Sequence, residues 1–122
     1  MTIMEFLLAR IAEDEQVAKD AIGGWDGSDD DGVWEQDGDS KYIEGKCLQI
    51  YDEGGHSVTQ AIHIARWDPH SVLEDCKTKR AIIDFLDLDG MPKGQGHFVA
   101  RSVLALMALR YVDHPDYQAF GK

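Results

Sequence analysis

An α+β domain, about four helices packed with a small antiparallel β-hairpin or meander, is what three features of this chain predict. Apolar residues recur at helical spacing near both ends. Thr2 with Glu5, Ser57 with Gln60, and Asp68 followed by Pro69 each read as a helix start. Between them, short runs containing Trp, Tyr and Ile are separated by glycine and aspartate turn signals. At 122 residues and 43% hydrophobic content, the chain is long enough to bury one core, so 1–122 is read as a single domain.

The first helix opens at Thr2, whose hydroxyl can accept from the backbone of the third helical residue while Glu5 reaches back. Ile3, Phe6, Leu7, Ile11, Val17, Ala18 and Ile22 supply its apolar stripe, with a polar gap over 13–16, and Gly23 and Gly24 end it. Residues 26–39 then carry seven acids (Asp26, Asp29, Asp30, Asp31, Glu35, Asp37, Asp39) and no base, which reads as a solvated acidic loop running into a strand. Segments 33–36, 41–44 and 46–52 are predicted strands, divided by Asp37-Gly38-Asp39 and Gly45.

A second helix is expected over 58–66, with Val58, Ala61, Ile62 and Ala65 on one stripe. The third runs from Pro69 to about Leu86, because aspartate is a strong N-cap and proline fits the first helical position. Its inward residues are expected to be Val72, Leu73, Cys76, Ile83 and Leu86. Residues 87–96 form a glycine-rich connection expected at the surface. The last helix, over 97–111, is apolar around most of its circumference, which predicts the central helix of the core. Pro115 keeps it from continuing.

Charge narrows the function. Twenty-three acidic residues against twelve basic give a formal charge of −11, so binding DNA or RNA by phosphate neutralisation is excluded as a general mode. Cys47 and Cys76 have neither disulfide-framework nor zinc-ribbon spacing, and no secretory signal or membrane-spanning run is legible; a cytoplasmic protein is expected.

His56, His63 and His70 are spaced by seven, but Gly54-Gly55 and Asp68-Pro69 interrupt any common helix, which argues against a shared metal. Cys76 falls on an apolar stripe and reads as core. The acidic loop lacks the calcium-loop order of oxygens and glycine, and Gly90, Gly94 and Gly96 lack phosphate-loop spacing. His114-Pro115-Asp116 matches the tripeptide of J-domain cochaperones, yet the preceding helix is uncharged over 104–109 where that family is basic. Asp113 beside His114, or His63 near Arg66 and Asp68, has the composition of a general base with an orienting carboxylate, but no nucleophile elbow or HExxH pattern accompanies either. No catalytic residue, metal ligand or cofactor is therefore assigned.

MEFLLARIAEDEQVA at the N-terminus, YDEGGHSVTQAIHIARWDPHSVLEDCKTKRAIID in the middle and ALRYVDHPDY near the end stand in one order along about half of the chain. Together they resemble an uncharacterised family of small proteins, a domain of unknown function, common in actinobacteria and their bacteriophages. The resemblance implies a shared fold and no activity, cofactor or partner.

The leading expectation is a small acidic, non-enzymatic accessory protein that binds another protein. His63, Arg66, Trp67, Asp68, His114, Asp116 and Tyr117 are its candidate binding residues, because they mix polar, charged and aromatic character at element ends. One alternative is an acidic decoy, mimicking nucleic acid, for a DNA-binding protein, with residues 26–39 as its phosphate-like surface. Another is a small histidine-dependent metal enzyme or hydrolase. A host protein or a second copy of the chain is the expected partner, and the apolar last helix leaves a homodimer open.

Overall fold

The first three helices start where side chains reach back onto exposed backbone donors, whereas the fourth starts at Gly94 without a side-chain cap. A computed structural model describes residues 1–23 and 29–120, the last two by backbone alone, so Gly24 and the first three residues of the acidic stretch 26–39 lie outside the described residues. Helix α1 spans Ile3–Asp20, and Thr2 Oγ1 accepts from Glu5 N at 3.1 Å. Helix α2 spans Val58–Arg66 with a complete reciprocal capping box between Ser57 and Gln60. Helix α3 spans Pro69–Leu86, and Asp68 Oδ1 accepts from Ser71 N at 2.8 Å as its N-cap. Helix α4 spans Gln95–Ala108 and tightens into a 3-10 turn at Leu109–Tyr111.

Three two-residue strands form the sheet: β1 Glu35–Gln36, β2 Ile43–Glu44 and β3 Gln49–Ile50, in the antiparallel order β1-β2-β3. The register pairs Glu35 with Glu44, Gln36 with Ile43, Ile43 with Ile50, and Glu44 with Gln49. Gln36 Nε2 closes the first hairpin by donating to Gly38 O and Ser40 O at 2.7 and 2.8 Å. The expected α+β class with a small antiparallel meander is thus the observed one.

The chain divides into two compact units, Asp14–Asp75 and Met1–Glu13 with Cys76–Lys122. In the first, Ala18, Ile43, Ala61 and Asp68 are buried, and the hairpin is seated against α2. In the second, Ile3, Phe6, Leu7 and Ile11 of α1, Cys76 and Ile83 of α3, and Ala100, Leu104 and Ala108 of α4 are buried. Phe6, fully buried, meets Tyr111, His114 and Tyr117 edge-on at centroid distances of 6.2, 5.9 and 6.0 Å.

Three expectations are corrected. Val17 is 71% exposed, because the line Phe6, Arg10, Glu13, Val17 along α1 turns polar at Arg10 and reaches solvent at Glu13. Helix α4 is not central: it buries two alanines and one leucine, while Phe98 and Leu106 are 70% and 66% exposed. The densest apolar contribution to that unit comes from α1. Finally, the 87–96 connection is not all surface, since a 3-10 turn at Leu88–Gly90 buries Leu88.

Candidate functional site

Where α2 faces the first hairpin, an open groove of about 610 Å³ is lined by Trp34, Glu35, Gln36, Asp37, Tyr42, Glu44, Ile62, Ala65 and Arg66. Its geometry follows from local sequence. Asp68 sits between α2 and α3, and its second oxygen, Oδ2, accepts from Trp34 N at 3.0 Å, pinning the entry to β1. Gly45 lets the indole lie close: a Cβ there would stand 2.7 Å from Trp34 Cδ1. The antiparallel register sets Glu35 directly opposite Glu44 on one face of the sheet, and both line the groove. Opposed like charges across strands are destabilising. Desolvation, followed by the nearby Glu44 charge, raises the Tyr42 hydroxyl above its usual pKa of 10.0. Trp34 Nε1 is a buried indole donor with no hydrogen-bond acceptor among the described residues.

At the end of α2, Arg66 is exposed and Trp67 is 55% exposed, with the His63 ring 6.4 Å from the indole of Trp67. His63 also lines a shallow hollow of about 550 Å³ with Gly55, His56, Thr59, Gln60 and Ile64. Asp68 is only 5% exposed and has both oxygens engaged by backbone N–H groups, so it acts by positioning Trp34 and the α2–α3 corner.

The remaining candidates, His114, Asp116 and Tyr117, belong to the other compact unit. There the buried Arg10 donates from Nη1 to His114 Nδ1 at 2.7 Å and from Nη2 to Glu13 Oε1 at 2.9 Å, with Asp116 Oδ2 at 3.5 Å. Asp116 N also donates to His114 Nδ1, at 3.0 Å. A guanidinium cannot accept a hydrogen bond, so Nδ1 is the acceptor and the ring proton resides on Nε2, 3.8 Å from Glu13 Oε2. The Asp-His-Pro-Asp-Tyr block thereby neutralises a buried arginine and packs on Phe6, a structural chemistry that sequence spacing hid because Arg10 lies far away in the chain.

The histidines at 56, 63 and 70 do not form one group: His56 and His63 line the same hollow, and His70 is not among its lining. His56 hydrogen-bonds Lys41 O through Nε2, His63 neighbours Trp67, and His70 N donates to Gly32 O at 3.0 Å. Among the described residues, no three His, Cys, Asp or Glu side chains are grouped to hold a metal ion. Cys76 is buried, its thiol 3.9 Å from Ile11 O. In the acidic stretch, Asp30 accepts from Gly23 N and Gly32 N, each at 3.0 Å, and Asp31 from Val33 N at 3.0 Å, so these carboxylates bind their own loop. No helix among the described residues is long and apolar enough to cross a membrane.

Fold and groove together define a small α+β protein with a recess flanked by aromatic and acidic side chains. The chain belongs to a family of unknown function, DUF6221, whose profile matches residues 1–120. No curated protein and no solved structure matches it.

Proposed function

We propose that this protein is a non-enzymatic accessory module that binds another protein, holding a basic segment with an apolar anchor in the groove between α2 and the first hairpin. The supporting observation is the in-register Glu35 and Glu44 pair, set beside Trp34, Tyr42 and Ile62 with Asp37 at the margin. Such a like-charge pair weakens an isolated hairpin, and a lysine or arginine from a partner relieves it. The aromatic and aliphatic lining offers the desolvated contact that dominates interface energy, and Trp67, next in the chain to the groove residue Arg66, is exposed. The resemblance to proteins of actinobacteria and their bacteriophages supports a bacterial or phage origin, and two cysteines without disulfide-framework spacing fit a reducing cytoplasm.

The groove is favoured over a nucleic-acid decoy because Asp30 and Asp31 spend oxygens on loop backbone rather than presenting a regular array of free charge. Selection of peptides from a displayed random library on the immobilised protein tests the reading. Enriched sequences should carry Lys or Arg beside an aliphatic or aromatic residue, and binding should fall at least tenfold in Glu44→Lys and in Ile62→Asp. Absence of enrichment, or binding indifferent to both substitutions, defeats the proposal. Binding that collapses with salt but ignores Ile62→Asp favours the decoy.

A further inference from the structure

Helix α4 has two unlike sides. Ala100, Leu104 and Ala108, four residues apart, are buried, whereas Phe98, Val99, Leu106 and Leu109 are 70, 52, 66 and 53% exposed. At 3.6 residues per turn these four and Ser102 fall within an arc of about 100°, roughly opposite the buried row. Four large apolar side chains in one stripe exceed the scattered single exposures normal for a monomer.

We propose that this stripe is the contact between two copies of the chain, with α4 crossing its symmetry mate antiparallel about a two-fold axis beside Ser102. The spacing is self-complementary. Phe98 lies four residues before Ser102 and Leu106 four after it, so a two-fold axis at Ser102 sets Phe98 of each copy against Leu106 of the other. Ser102 is small, and its hydroxyl donates to Phe98 O at 2.9 Å, so the crossing point accepts close approach without stranding a polar group.

Charge selects the same surface. Two copies, each at −11, repel unless the contact lies away from the carboxylates. Helix α4 contains no Asp or Glu, whereas the other two long helices do: α1 carries Glu5, Glu13, Asp14, Glu15 and Asp20, and α3 carries Glu74, Asp75 and Asp84. The exposed stripe offers on the order of 500 Å² per copy, which places the dimer at the small end of stable interfaces and its affinity in the micromolar range. This surface is distinct from the α2 groove, and its failure leaves the proposed function untouched.

Sedimentation velocity of the full chain tests the dimer, over about 5 to 500 µM and in about 0.3 M NaCl to screen the net charge. The expected result is a monomer at the low end and a dimer at the high end. Leu106→Glu should remain monomeric throughout with an unchanged far-ultraviolet circular dichroism spectrum. Val17→Glu, at a comparably exposed apolar residue of α1, should associate like the parent chain. Should Leu106→Glu lose its helical spectrum, Ser102→Trp, which blocks the axis while keeping the stripe apolar, should weaken association at least tenfold instead. A parent chain monomeric at the highest concentration overturns the proposal. So does a folded Leu106→Glu variant that still dimerises, a Ser102→Trp variant with parental association, or loss of the dimer in Val17→Glu.

Discussion

Asp68 holds two backbone donors with one carboxylate, capping α3 through Ser71 N and fixing β1 through Trp34 N. Removing it costs a helix cap, about 1 kcal/mol, and strands a part-buried N–H, a further ~1–3 kcal/mol. Asp68→Ala is therefore expected to lose about 2–4 kcal/mol in urea unfolding, and Asp68→Ser, which restores only the cap, about half of that. A loss below ~0.5 kcal/mol for the alanine variant, the scale of an ordinary surface change, would refute the double role. Asp31 makes a smaller, titratable contribution. Its carboxylate accepts from Val33 N, with Lys46 Nζ 3.5 Å away, and the Val33 bond is the main cause holding its pKa below the ordinary 3.8. Because the folded value is the depressed one, its stabilisation is present above pH 3.8 and fades as pH falls through the folded value. Side-chain carbon NMR of Asp31 should give a midpoint under 3.8, moving upward in Lys46→Ala. A midpoint at or above 3.8 in the parent chain removes the assignment.

At the scale of elements, α3 ends in a strained junction. Asp87 adopts φ 41° and ψ 56°, the left-handed region that disfavours a Cβ, as the chain turns into the 3-10 segment that buries Leu88. Asp87→Gly relieves that strain and is expected to gain about 0.5–1 kcal/mol, read as a raised urea midpoint with an unchanged slope. A lowered midpoint would mean the carboxylate does more here than tolerate its backbone. The same junction shows what the sequence made legible. Helix starts were readable because caps are local: Thr2, Ser57 and Asp68 lie within three residues of the helix N–H groups they cap. The outward face of α4 was not, since a helix apolar nearly all round carries no periodic mark of which side a neighbour covers. Of the candidate binding residues, Arg66 lines the groove, but the groove itself and its Trp34, Tyr42 and Glu44 were not readable, because a groove between a hairpin and a helix is written in register and packing. Likewise His114 reads as a helix terminus in sequence, while its main partner, Arg10, is 104 residues away.

For the molecule as a whole, the governing quantity is the charge of −11, to which the buried Arg10 contributes little relief because Glu13, His114 and Asp116 already answer it. Unpaired carboxylates repel one another over a Debye length of about 30 Å at 0.01 M salt and about 8 Å at 0.15 M. Self-repulsion opposes the compact state, so added salt should stabilise this protein, opposite to what a fold held by surface ion pairs would show. A gain of about 1 kcal/mol corresponds to a Tm rise of roughly 3–5 °C for a chain of this size. Differential scanning calorimetry in about 10 and 300 mM NaCl at neutral pH, spanning the range in which screening changes most, should find it. Low protein concentration keeps self-association from adding its own concentration-dependent stabilisation. The Glu35 and Glu44 pair localises part of the effect: Glu44→Gln should raise Tm at 10 mM salt and lose most of that advantage at 300 mM. If Tm instead falls with salt, attractive pairs such as Arg10 with Glu13 outweigh the net charge. If Glu44→Gln lowers Tm at both concentrations, the opposed glutamates are not the unrelieved repulsion on which the groove's preference for a basic partner rests.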